Sequence, residues 1–427
     1  MRLPDWLAYQ QTQHPNAIEL GLDRVRQVAC RLERLPWKIP SIIVGGTNGK
    51  GSTVAFLTAL ARAVGLKVGT YTSPHLQRYN ERIAIDTVPV DDAALIAAFE
   101  RIEAAREGVP LTFFEYGTLA AFEIFGRERI DVAIVEVGLG GRLDATNIID
   151  ADVAVLTSVG LDHQEWLGAT VEDIGREKSG IFRAGKPVVL GATSMPKSVR
   201  LAIDALGARA REIDVDFRIE SAGEGAEWCW QDALRRYAPL PPPALHGPIQ
   251  PRNAATAIAA FLELLAAHPQ LAPIPSIDAI ATAMRRVELR GRFQRIAPQS
   301  ALDPEWILDV AHNEDSAQVL ATALRSLPRA RRTVAVIGVL GDKDAAAIAQ
   351  QLETVIDEWV LCGVAGPRGG SAEALRSRLP ATLRTIALAP DVSHGCATAR
   401  ALAGAADRIV VFGSFHVVGP ALDWLRI

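Results

Sequence analysis

The run Ile42-Ile43-Val44, followed closely by Gly46-Thr47-Asn48-Gly49-Lys50-Gly51-Ser52, constrains this chain more than any other segment. A β-branched run that ends in a glycine-rich turn and opens into the helical pattern of residues 53–64 reads as strand, loop and helix. The glycines let successive backbone N–H groups converge on phosphate oxygens, and the helix N-terminus adds a dipole that favours an anion there. Lys50 places a point charge where the terminal phosphates of a nucleotide would lie, and Ser52 or Thr53 offers a hydroxyl to Mg²⁺. The spacing departs from the usual phosphate-loop pattern. Val44 stands where a first glycine is usual, and Gly51 separates the lysine from the first hydroxyl. The implied ligands are ATP and Mg²⁺.

A chain of 427 residues has volume for two or three domains with cores of their own. Its formal charge of −4 and hydrophobic fraction of 49% indicate neither disorder nor a surface made to coat nucleic acid. Anionic ligands must then be held by local lysines, arginines and metal. Cys30, Cys229, Cys362 and Cys396 are far apart, which points to a reducing compartment and away from structural zinc. Met1-Arg2-Leu3-Pro4-Asp5 has no apolar signal core, and no apolar run approaches the ~20 residues of a membrane span. A cytoplasmic protein with no membrane or nucleic-acid partner is expected, as a monomer.

Strand-like apolar runs recur at 42–44, 68–70, 132–137, 153–157, 188–190, 307–310, 334–339, 358–362 and 409–412, with helical patterns between them. Alternation of this kind reads as α/β with parallel sheets, and continuous hydrophobicity suits strands covered on both faces. Residues 214–232 break the rhythm and read as a small antiparallel excursion, with 217–221 and 228–230 separated by a Gly-rich turn. Leu240-Pro241-Pro242-Pro243 reads as a stiff connector before a helix at 254–267, and the Ala-rich tracts 345–349 and 401–406 as helix-forming sequence. A domain boundary is expected within 296–304.

Ligands of open α/β sheets lie beyond the carboxyl ends of strands, so polar residues at those ends are the candidates for chemistry. Glu136 closes the run 132–137 just before Gly138-Leu139-Gly140-Gly141-Arg142, and a carboxylate there is costly unless paired or metal-bound. Asp162-His163 lies beyond 153–157, and a neutral imidazole can ligate a metal or simply be hydrogen-bonded. Tyr71-Thr72-Ser73-Pro74-His75 carries hydroxyls that could complete a Mg²⁺ shell. Lys178 falls on a helical pattern, where the residues alone make it a solvated lysine or a partner of Glu177.

Seven blocks carry a resemblance: GTNGKGS, TSPHLQRYNERI (72–83), EVGLGGRLDATN (136–147), GLDHQEWLG (160–168), IGREKSGIFRAGKP (174–187), LDVAHNEDSA (308–317) and GDKD (341–344). Together and in this order they resemble folylpolyglutamate synthases, and more specifically the bifunctional dihydrofolate synthase/folylpolyglutamate synthases of the Mur-ligase superfamily. The resemblance implies an α/β architecture with a P-loop parallel-sheet ATPase domain at 1–296 and a smaller Rossmann-like α/β domain at 303–427. It implies ATP-dependent ligation of L-glutamate to dihydropteroate, and to reduced folates, through an acyl phosphate; the alternative is polyglutamate extension only.

Residue by residue, the resemblance gives Lys50 the β/γ-phosphates and makes Ser73, Glu136 and His163 Mg²⁺ ligands. Lys178 matches a lysine that the superfamily carries as a carbamate. Asp144 and Phe114 match the pteridine site, and Gln250, Asn253, Arg292, Asp309 and His312 match nucleotide contacts. Lys343 and Ser414 would hold the carboxylates of the incoming glutamate, by analogy with related Mur ligases; a lysine in Gly-Asp-Lys-Asp is equally a turn residue. Phe415 supplies the aromatic that the C-terminal motif expects, and His416 after it is a departure.

Two rival readings are weaker. A Mur peptide ligase acting on a UDP-linked precursor needs a domain in front of the ATPase domain, and the loop here starts at residue 46. A P-loop switch that hydrolyses ATP to change partners has no use for a second domain carrying Asp309, His312 and Lys343.

Overall fold

Among the described residues the apolar runs become strands that assemble into three sheets. The computed structural model describes residues 1–221, 226–298, 300 and 303–427. The Gly-rich turn expected between the two excursion strands, and Gln299, Ala301 and Leu302 of the expected boundary, lie outside the described residues.

The chain divides into two units. The first comprises Met1–His75, Tyr79–Pro243 and Pro251–Val287, and the second Leu76–Arg78, Ala244–Gln250 and Glu288–Ile427. The division falls earlier than the expected boundary because Gln294–Ile296 hydrogen-bonds as an antiparallel edge strand to Glu305–Asp309 of the second unit.

In the first unit, β1 (Ser41–Gly45), β2 (Val68–Tyr71), β3 (Ile83–Ile85), β4 (Val88–Pro89), β5 (Val132–Glu136), β6 (Val153–Leu156), β7 (Pro187–Leu190) and β8 (Arg209–Glu212) form one sheet in the order β4-β3-β2-β5-β1-β6-β7-β8. The run from β2 to β8 is parallel, and β3 and β4 are an antiparallel edge. Consecutive residues of buried strands alternate between faces. Ala133 and Val135 join Leu119, Phe122 and Phe125 on one side, while Ile43, Ala154, Leu156, Val188 and Leu190 join Ile181 and Val199 elsewhere. The helices Lys50–Ala63 and Phe113–Glu128 belong to this unit. The expected excursion is a three-stranded antiparallel sheet, β9 (Phe217–Ser221), β10 (Trp228–Asp232) and β11 (Arg236–Leu240), with Trp230 wholly buried between Phe217 and Tyr237.

The second unit holds β12 (Gln294–Ile296), β13 (Glu305–Asp309), β14 (Thr333–Ile337), β15 (Glu358–Cys362), β16 (Thr385–Ala389) and β17 (Arg408–Phe412), ordered β12-β13-β17-β14-β15-β16. All its pairings except β12–β13 are parallel. Ile307, Ala335, Ile337, Trp359, Leu361, Val410 and Phe412 pack on one face, and Trp306, Leu308, Val334, Val336, Val360, Ile409 and Val411 on the other. That split is why these strands read as unbroken apolar runs. Of the tract 401–406 only the first two residues are helical. The helix Val392–Leu402 ends there, and Gly404 instead donates its N–H to the Asp407 carboxylate.

Candidate active site

The loop after β1 is built by two left-handed glycines and by the end of the neighbouring strand. Gly46 has φ +148 and Gly49 φ +87, conformations open to glycine and strained for other residues. A Cβ on Gly46 would collide with the Thr157 hydroxyl. Beyond β6, the Ser158 carbonyl accepts the Thr47 N–H (2.9 Å) and the Ser158 Oγ accepts the Asn48 N–H (3.0 Å). The Thr157 hydroxyl donates to the Asn48 carbonyl (2.7 Å), and Thr47 Oγ1 accepts the Gly160 N–H (3.0 Å). The Thr47 and Asn48 amides, read from the sequence as aimed at phosphate, are therefore held by the protein. The first-turn amides of the helix Lys50–Ala63 are the ones helix geometry leaves for an anion. The Thr53 hydroxyl donates to the Gly49 carbonyl (3.0 Å), so it braces the turn. Asn253 lies against the same turn, its Oδ1 2.9 Å from where a Gly49 Cβ would be.

Two lysines converge on this loop. Lys50 Nζ donates to the carbonyls of Gly46 (2.9 Å) and Thr47 (3.1 Å), and Lys178 Nζ donates to the same Gly46 carbonyl (2.9 Å). Lys178 ends the helix Val171–Lys178 and is buried, not solvated. Glu177 pairs instead with Arg142, whose Nη2 lies 2.9 Å from its Oε1. Burial, then the neighbouring Lys50 charge, pushes the Lys178 amine down to about 7, with Asp162 and Asp144 opposing.

Glu136 ends β5 and is buried; its Oε2 accepts the Ser73 N–H at 3.2 Å, which brings two of the expected metal ligands together. His163 stands in a left-handed conformation (φ +52), with Nε2 3.9 Å from Asp162 Oδ1. Among the described residues no three His, Cys, Asp or Glu side chains gather closely enough for a metal ion. A site here must draw on other oxygens; Ser73, whose backbone N–H meets the Glu136 carboxylate, also carries a hydroxyl, and hydroxyl and carboxylate are hard donors of the type that suits Mg²⁺.

Gly138 opens the next loop close to both Phe114 and Asp144. A Cβ on Gly138 would lie 2.5 Å from Phe114 Cζ and 3.2 Å from Asp144 Oδ2. Phe114 stands at the start of the helix Phe113–Glu128, which a Thr112–Glu115 capping box begins, and its ring is 5.9 Å from that of Tyr71. Asp144 is buried, accepting Thr146 Oγ1 (2.6 Å) and the N–H groups of Thr146 (3.0 Å) and Leu139 (2.8 Å). Burial raises its carboxyl above the usual range against those hydrogen bonds. Asn147 fastens the loop to the end of the Lys178 helix: its Nδ2 donates to Arg142 O and Gly180 O (both 3.0 Å), and its Oδ1 accepts Arg183 Nη2 (3.0 Å).

In the second unit the candidates stand beyond strand ends as well. Asp309 closes β13; its Oδ2 accepts the Phe293 N–H (2.7 Å) and its Oδ1 the Ala311 N–H (2.8 Å). Burial raises its carboxyl, and the Arg292 charge opposes this. The Arg292 guanidinium carbon lies 5.1 Å from the centre of the Phe415 ring, which gives that aromatic a definite contact. His312 Nδ1 lies 2.8 Å from the Val310 carbonyl, so this nitrogen carries the hydrogen. Gln250 begins the helix Gln250–Ala267 and is buried. Lys343 sits in a turn and yet is buried, 3.8 Å from Asp342, so it is not a plain solvated turn residue. Ser414 follows Gly413 (φ +124) beyond β17, and its buried hydroxyl has no hydrogen-bond partner among the described residues. Sequence reasoning missed Thr157, Ser158 and Asn147, whose work is done through backbone groups.

The class of the protein follows from comparison. Residues 44–192 match the family model described as Mur ligase middle domain, and residues 291–415 that described as Mur ligase, glutamate ligase domain. The Escherichia coli (strain K12) dihydrofolate synthase/folylpolyglutamate synthase is 42% identical over 423 residues, 99% of this chain and 95% of its own. The Escherichia coli FolC structure in complex with DHPP and ADP superposes with a TM-score of 0.92 at 40% identity, covering 100% of this chain and 98% of that one. A bifunctional folylpolyglutamate synthase/dihydrofolate synthase with Mn, AMPPNP and L-glutamate bound gives 0.89 at 41% identity, with 100% and 98% coverage. The chain belongs to the dihydrofolate synthase/folylpolyglutamate synthase family.

Proposed function

We infer that this protein ligates L-glutamate to dihydropteroate and to reduced folates at the expense of ATP, with a divalent cation. The observation that carries the reading is the meeting of Lys50 and Lys178 at the Gly46 carbonyl of the phosphate loop. A carboxylate oxygen of the folate acid attacks the γ-phosphorus, the bond to the β-phosphate oxygen breaks and ADP leaves. The neutral glutamate amine then attacks the acyl carbon, inorganic phosphate leaves, and the nitrogen gives one proton to solvent and keeps the other as the amide N–H.

Gly49, Gly51 and the first-turn amides of the helix Lys50–Ala63 orient the phosphates, and Lys50 leaves its backbone carbonyls to lie on the β/γ-phosphates. Ser73, Glu136 and His163, with Lys178 as its carbamate, would hold Mg²⁺. When bound, the cation neutralises charge on the phosphates as the transfer proceeds. Phe114 and Asp144 orient the pteridine, with the aromatic face of one and the buried carboxyl of the other. In the second unit Lys343 and Ser414 serve the glutamate carboxylates; the orphaned Ser414 hydroxyl supports that role, because a buried hydroxyl without a partner is costly until a ligand supplies one. Asn253, Gln250, Arg292, Asp309 and His312 keep the nucleotide roles that their resemblance implies.

Among the described residues no helix is long and apolar enough to cross a membrane. The cytoplasm is the proposed compartment, on the wide spacing of the four cysteines. The test is ADP release measured with glutamate and dihydropteroate supplied singly and together. Release that needs both supports the ligase; release indifferent to both overturns it.

A further inference from the structure

A loop with two left-handed glycines has little of its own to hold it, because its peptides are not paired within a strand or helix. Besides the lysine bonds to the Gly46 and Thr47 carbonyls, the neighbouring strand end holds it. Ser158 engages Asn48 at both polar groups, its Oγ accepting the N–H (3.0 Å) and donating to the carbonyl (3.1 Å). Thr157 Oγ1 reaches the same carbonyl at 2.7 Å and lies 3.2 Å from the Gly45 carbonyl. Thr47 is fixed at its N–H by the Ser158 carbonyl (2.9 Å), and its hydroxyl joins Gly160. Gly46 has no room for a Cβ because the Thr157 hydroxyl fills the space. Every one of these contacts leaves the first turn of the helix Lys50–Ala63 untouched.

We propose that Thr157 and Ser158 are positioning residues for the nucleotide: their hydroxyls mould residues 46–48 into the phosphate-binding shape before ATP arrives. The proposal rests on the reading of residues 46–52 as the ATP phosphate site. Neither side chain has to touch ATP. With the mould in place, phosphate binds without first ordering the loop; without it, that ordering is charged against affinity. The effect must therefore appear in nucleotide affinity and leave the acid substrates alone.

The experiment compares wild type, Thr157→Val/Ser158→Ala, Ser158→Ala alone and Thr157→Ser, with calorimetric ADP binding and separate KM values for ATP, glutamate and dihydropteroate. The double variant is expected to weaken ADP binding and raise the ATP KM by ~10-fold, the scale of one or two neutral hydrogen bonds. Glutamate and dihydropteroate KM stay within about twofold, and Thr157→Ser, which keeps a hydroxyl, stays within about threefold of wild type. If the double variant does not fold, Ser158→Ala alone decides, since Thr157 still holds the Asn48 carbonyl. Unchanged ADP affinity in a folded variant overturns the proposal, as does a loss of active fraction that leaves every KM unchanged. Wild-type protein that binds no ADP overturns the nucleotide reading and this proposal together.

Discussion

One carbonyl oxygen, that of Gly46, accepts hydrogen bonds from both Lys50 and Lys178, and this sets what each amine can do. Lys178 falls from 10.5 in its ordinary state to about 7 when folded, chiefly through burial. Between those values the unfolded chain binds more protons than the folded one, so in that window this group makes stability rise with pH. Above the lower value the buried amine is neutral and can react with CO₂; below it the amine is protonated and cannot. Protein equilibrated with ¹³C-bicarbonate should therefore show a carbamate carbon signal at about pH 8, fading as the pH falls through the folded value, and absent in Lys178→Ala. That variant should be nearly inactive and partly restored by a short carboxylic acid, and full activity without one would count against the carbamate. Lys50 Nζ donates to backbone carbonyls of its own loop, and its removal is expected to spare the fold. Lys50→Ala is expected to melt within a few degrees of wild type and to turn over ~10²-fold more slowly, the scale of losing a positioned charge on a transition state.

At the scale of elements, the segment from Gly138 to Asn147 is a clamp. Gly138 admits the Phe114 ring and the Asp144 carboxyl, and Asn147 fixes the far end to Gly180. Gly138→Ala should push Phe114 aside and raise the KM for dihydropteroate several-fold while ADP affinity stays unchanged; an unchanged dihydropteroate KM would remove Phe114 from the site. The strands that hold this loop and the phosphate loop, β1, β5 and β6, were legible because both their faces are buried, and so were β14 and β17 of the second unit; all are apolar throughout or nearly so. β8 was not, since Arg209-Ala210-Arg211-Glu212 lies at an exposed sheet edge and bears charge; β16, at the other sheet's edge, is only half-buried. Asp309 was singled out by the resemblance, whereas Glu136 stood out as a costly charge in apolar surroundings and Lys50 by its place in the glycine-rich turn. Thr157, Ser158 and Asn147 did not, because their hydrogen bonds join segments far apart in sequence, 109 residues in the case of Thr157 and Asn48, and leave no local pattern. Lys178 looked solvated for the same reason: its burial comes from a loop 132 residues away.

Across the whole molecule, the residues proposed to hold nucleotide and glutamate would serve both ligations alike, so they would not set which acid is used. On the proposed assignment, discrimination falls to the pteridine place beside Phe114 and Asp144. A dihydropteroate seated there presents its carboxylate directly, whereas a reduced folate is longer by a glutamyl unit and its pteridine must sit elsewhere for the terminal carboxylate to reach the same phosphorus. Both acids are expected to be substrates of the purified protein. Asp144 is already committed to Thr146 and Leu139, so its loss loosens the loop as well as removing the proposed ligand contact. Removing a buried partner that holds backbone donors costs about 1–3 kcal/mol, and a control for loop damage is needed. The ATP KM supplies it, because the phosphate loop is held from Thr157 and Ser158 and not from Asp144. Asp144→Ala should lower kcat/KM for dihydropteroate by ~10-fold or more, with a change for tetrahydrofolate within about threefold and an unaltered ATP KM. Equal losses on the two acids would place both pteridines against Asp144, and turnover of tetrahydrofolate with none of dihydropteroate would confine the wild-type enzyme to chain extension.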